Sequence, residues 1–167
     1  MTEAAEKYFN RVYPKGEFKL ASTDPEFADF FANFSCDEVV KQDDLADHTR
    51  MMAILAALLG CQGVDEFREI LPGAMNLGVT PVEVKEIVYQ ACAYLGIGRV
   101  RPFFDVVNEV LTEKGIALPL EGQATTTAED RVEKGEQAQV DIFGEGMKGF
   151  AAVSYTHLRA HETSAHL

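Results

Sequence analysis

The sequence predicts an all-α fold, and three observations carry that expectation. Apolar residues recur every three or four positions through most of residues 4–114, the period of one helix face. The strict alternation that marks a half-buried strand is almost absent. Helix punctuation is frequent: Pro follows a capping residue at Asp24-Pro25 and Thr80-Pro81, and Gly stands at the expected stops Gly78 and Gly115.

Residues 4–13 place Tyr8, Phe9 and Val12 on one face. Asp24 caps a second helix, along which Phe27, Phe30, Phe31 and Phe34 recur at helical spacing and are assigned to core or to an oligomer interface. A longer helix is expected from Asp43 or Asp44 to Gly60, burying Leu45, Met52, Leu55, Leu58 and Leu59. Residues 63–77 form the next, bent near Pro72, which removes a backbone hydrogen bond. Thr80 and Glu83 have the spacing of a capping box, and Val84, Ile87, Val88, Ala91 and Leu95 make the stripe that follows. A last core helix from Val100 or Pro102 to Lys114 turns Phe103, Val106, Val107, Val110 and Leu111 inward.

This organisation divides the chain into a helical domain over 1–117, a linker over 118–127 and a further helix over 128–152 that begins a second, truncated copy. Residues 153–167 read as a non-native tail: VSYTHLRAHET matches the in-frame translation of a sequencing adapter. Three of the four histidines (His157, His161, His166) fall there, so no metal site is assigned to them, and the native sequence is expected to stop near Ala152.

Composition narrows the function. A net charge of −12 repels phosphate backbones and argues against nucleic-acid binding. The longest apolar run, Met51 to Leu59, falls well short of the ~20 residues that a membrane span requires. No secretory signal opens the chain, and three widely spaced cysteines (Cys36, Cys61, Cys92) give no disulfide framework, so a cytoplasmic protein is expected.

The order Thr49-Arg50, apolar helix, small-residue turn, helix, Asn76-Leu77-Gly78-Val79-Thr80-Pro81, Glu83 to Gly96, and Glu109-Val110-Leu111 resembles the carboxymuconolactone decarboxylase family over roughly residues 20–115. Residues 125–145 resemble the start of the second copy in tandem members. The resemblance implies an alkylhydroperoxidase D-like helical bundle, assembling as a homo-oligomer (trimer or hexamer), that acts on a small-molecule substrate without a cofactor or metal. It implies peroxiredoxin-like reduction of hydroperoxides. The alternatives are a lactone decarboxylase-type lyase and a non-catalytic, oligomerising half of a tandem protein.

The family's thiol branch uses Cys-x-x-Cys with a nearby His and Glu. Here Cys61 stands at the first cysteine, Val64 at the second, Arg68 at the histidine and Thr49 near the acidic position. Against the lyase branch, the helix-borne histidine falls near Ile70. Three candidate catalytic residues result. Cys61 is either an oxidisable thiol or a small buried hydrophobe. His48 has the side chain of a general acid, or is a surface residue at a helix start. Arg50 could hold a substrate carboxylate in a bidentate pair, or pair with Asp44 or Asp47. Cys92 is assigned to the core, Cys36 to a structural or chance exposed position, and Glu83 and Glu86 to capping and a solvated face.

Overall fold

The computed structural model describes residues 1–14 and 18–149, and these are helical with no strand among them. The expected adapter tail and its three histidines lie outside the described residues. The helices are α1 (Glu3–Val12), α2 (Pro25–Asn33), α3 (Asp47–Gly60), α4 (Val64–Asn76), α5 (Pro81–Leu95), α6 (Ile97–Glu113) and α7 (Arg131–Phe143). The chain divides into two compact units, Met1–Leu120 and Glu121–Leu167. In the second, α7 leads through Gly144 into a single 3-10 turn, Glu145–Met147.

In the first unit α3, α4, α6 and α5 close a ring, each packing on the next, and α1 lies against α4. The centre is filled by Met51, Leu55 and Leu59 from α3, Phe67 and Leu71 from α4, Val84 and Val88 from α5, and Val100, Phe103 and Leu111 from α6. Phe67 and Phe103 meet edge to face, with ring centroids 5.1 Å apart. Each such side chain contributes about 1.5–3 kcal/mol on burial, so the 3.6-residue period sets the bundle more firmly than any single polar contact does.

The connections are short. Cys61, Gln62 and Gly63 separate α3 from α4, and Gly96 alone, at φ 78°, turns the chain between α5 and α6. Because Gly96 makes that corner, α6 begins at Ile97, earlier than the expected Val100 or Pro102, and Pro102 lies within it. At its other boundary the expectation is also corrected: α3 starts at Asp47, because Asp43 adopts an extended conformation and Leu45 is exposed.

Helix α2 packs differently from its sequence pattern. Ala28 and Ala32 face inward, whereas Phe27, Phe30 and Phe34 are exposed. Only Phe31 of the four joins the core, stacked on Phe18 with centroids 5.2 Å apart. The small residues admit a close approach to α1, where Ala5 is fully buried. Thr2 locks that approach: its N–H donates to Asn33 Oδ1 at 2.7 Å and its hydroxyl to Asp37 Oδ2 at 2.8 Å.

The tightest approach joins α1 and α4. A Cβ built on Gly73 would lie 1.7 Å from the Val12 carbonyl oxygen, so the backbones meet where only hydrogen fits. Gly73→Ala is therefore expected to destabilise the fold by at least ~3 kcal/mol or prevent folding. Gly60→Ala, where a Cβ meets nothing within 4 Å, should be neutral or slightly stabilising. Urea unfolding of the two variants checks the contrast.

Candidate functional site

Helices α3 and α5 are joined through the antiparallel return of α4, so they run parallel and their first turns lie side by side. His48, in the first turn of α3, meets Glu83, in the first turn of α5. His48 Nε2 lies 3.0 Å from Glu83 Oε1 and 3.1 Å from Oε2. Glu83 is held from a second direction by the expected capping box. Its Oε2 accepts from Thr80 N–H and from the Thr80 hydroxyl, each at 2.8 Å, while Thr80 Oγ1 accepts from Glu83 N–H at 3.3 Å. The Thr80 backbone N–H, then His48, then the Thr80 hydroxyl pull the carboxyl down to about 2.

That ionisation settles the histidine tautomer. A carboxylate only accepts, so Nε2 carries the hydrogen it shares with Glu83, and Nδ1 is left for another partner, as an acceptor in the neutral ring or a donor in the imidazolium. No partner for Nδ1 occurs among the described residues. Gly78, at φ 105°, passes close to the ring: a Cβ there would stand 3.8 Å from His48 Cδ2.

From Glu83 a groove of about 520 Å³ runs along the seam between α3 and α5. Met52, Ala56 and Leu59 form one wall, and Ile87, Ala91 and Leu95 the other. Met52 lies one turn after His48 on the same helix face. Met52, Ile87, Ala91 and Leu95 were all expected as core; they are only half-buried, because the seam is open along one side and they form its lining. The charged wall residues are Glu83 and Glu86, and Tyr94 stands exposed toward the far end.

Arg50 does not share this site. Two residues along a helix turn the side chain by about 200°, which points Arg50 away from His48 and the groove. It is buried, donating to Asp43 Oδ1 at 2.7 Å, to Asp43 Oδ2 at 3.4 Å and to the Leu45 carbonyl at 3.1 Å. Its partner is thus Asp43 rather than the expected Asp44 or Asp47, and the guanidinium holds the Asp43 carboxyl below its ordinary range. Asp47 instead accepts from the Tyr8 hydroxyl at 2.9 Å and from Arg11 at 2.5 Å.

Cys61 caps the C-terminal end of α3 and is exposed, which overturns the buried alternative; its Sγ donates to the Leu58 carbonyl at 3.4 Å. Burial is found at Cys36 instead, where it pushes the thiol up. Cys92 is half-buried, with Sγ 3.6 Å from the Val88 carbonyl. At the other family positions, Arg68 pairs with Glu109 and Ile70 is core. His48 is therefore assembled with Glu83, a residue assigned from sequence to capping alone, while Arg50 and Cys61 stand elsewhere.

The Glu83 assignment predicts acid sensitivity. A carboxyl whose value falls from 4.5 to about 2 on folding contributes stability that is complete above pH 4.5 and lost as the pH falls through about 2. Glu83→Gln should narrow the gap to the parent chain over that interval, read by urea unfolding at stepped pH. Arg50→Gln should lower the melting temperature while leaving ligand binding in the groove unchanged.

Residues 25–109 match the model of the carboxymuconolactone decarboxylase family. A 4-carboxymuconolactone decarboxylase from Acinetobacter baylyi is 31% identical over 112 residues, covering 67% of this chain and 81% of the relative.

Proposed function

Since the chain belongs to the carboxymuconolactone decarboxylase family, we propose that it is a carboxy-lyase in which His48 supplies the proton and Glu83 orients it. The observation that carries this reading is the His48–Glu83 pair at one end of an apolar groove. In a lyase step the bond between the substrate carbon and its carboxylate breaks and carbon dioxide leaves. The electron pair remaining on carbon, delocalised into an adjacent carbonyl, then takes a proton. The imidazolium form of His48, its Nε2–H held by Glu83, gives the Nδ1 proton to that carbon and returns to the neutral ring, which takes its next proton from water. The apolar walls favour loss of the carboxylate charge, because the product is less dependent on water than the reactant.

Hydroperoxide reduction is the second reading, favoured by the exposure of Cys61. Without a second cysteine at Val64, its turnover would depend on an external thiol to reduce the sulfenic acid formed at Cys61.

The two readings separate in one experiment. With carboxylated lactones as substrates and carbon dioxide release as the readout, His48→Gln is expected to lower kcat by about a hundredfold to ten-thousandfold, with Cys61→Ser unaffected. Loss of activity in Cys61→Ser alone, with hydroperoxide as substrate, would transfer the chemistry to the thiol. Absence of both activities would favour a non-catalytic, oligomerising role.

A further inference from the structure

We propose that a pocket of about 200 Å³ between α1 and residues 36–41 binds a small carboxylate with an apolar body. It shares no lining residue with the groove, so it stands independently of the lyase reading. One face of α1 supplies Ala4, Lys7, Tyr8 and Arg11, at spacings of three and four residues. The opposite wall is Cys36, Asp37, Val40 and Lys41. There a π turn, Phe34–Glu38, sets Cys36 and Asp37 inward, and a 3-10 turn, Val40–Gln42, follows it.

The charges decide what this pocket takes. Three of the chain's 15 lysines and arginines meet here against one acid, in a protein of net charge −12. Asp37 is engaged by Lys41 and by the Thr2 hydroxyl, which donates at 2.8 Å, and Lys41 holds its carboxyl below the ordinary range. Asp47, outside the pocket, holds Arg11. Lys7 is exposed and has no ion-pair or hydrogen-bond partner among the described residues. A ligand carboxylate therefore meets one free ammonium beside two paired cations. Ala4, Tyr8, Cys36 and Val40 offer its body apolar surface: Tyr8 and Cys36 are buried, and Val40 packs against the core. Tyr8 presents its ring, because its hydroxyl is committed to Asp47 at 2.9 Å. The volume is below that of a drug-sized ligand site, which suits a body of one ring.

The test titrates the whole chain with cyclohexanecarboxylate, followed by isothermal titration calorimetry. Saturable binding is expected. Cyclohexanecarboxamide, which lacks the charge, and acetate, which lacks the body, should each bind at least about tenfold more weakly. Lys7→Glu is expected to weaken the carboxylate by about tenfold and Lys7→Arg by no more than about twofold. Lys7 is exposed and unpartnered, so both variants should fold as the parent does, read by circular dichroism. Ala4 is exposed in the pocket wall, so Ala4→Leu should keep α1 helical and block the site. Binding that survives both Lys7→Glu and Ala4→Leu would place the carboxylate elsewhere, the groove included, and overturn the proposal. Amide or acetate binding as tight as that of the carboxylate, or no saturation below about 10 mM, would overturn it too. Should Ala4→Leu fail to fold, the contrast between Lys7→Glu and Lys7→Arg decides alone.

Discussion

One carboxylate joins the first turns of two helices, α3 and α5. Glu83 closes the first turn of α5, and the same two oxygens hold the imidazole of α3. The capping interaction therefore fixes more than a helix terminus. It ties the first turn of α5 to that of α3, at one end of the wall that Ile87, Ala91 and Leu95 present. The histidine ring is positioned by an anchor that is itself braced by backbone, the condition under which a small polar group keeps a defined orientation near solvent.

The groove follows from how four helices share a limited core. Leu55 and Leu59 of α3 and Val84 and Val88 of α5 are used at the centre of the ring, which leaves their flanking apolar neighbours to line the seam on the outside. Such a concave, aliphatic strip is a natural place for a ligand, since it offers contact area that water cannot satisfy. Its acidic wall agrees with the acidic balance of the chain.

Much of the fold was legible in sequence because helix starts and stops are local. The Thr80–Glu83 box, the break at Gly78 and the inward face of α6 need no knowledge of what lies across the bundle. The departures have a common origin in tertiary packing. Four phenylalanines at helical spacing left core and oligomer interface open for α2, and Ala28 and Ala32, which allow the closer approach to α1, take the inward face. Arg50 could be matched to several acids on propensity alone, and the extended turn at Asp43 chose among them. The His48–Glu83 pair spans 35 positions and requires two parallel helices in register, which no local spacing announces.

The contact of Gly73 with the Val12 carbonyl also constrains how this chain can vary over generations. Every missense change at a glycine codon adds at least a methyl group, and here that group has nowhere to go. A lineage could exchange His48 at the cost of its hydrogen bonds to Glu83 and remain folded. It could not exchange Gly73 without first rebuilding the crossing of α1 on α4. Selection for mere persistence of the protein would thus guard a residue far less reactive than the histidine.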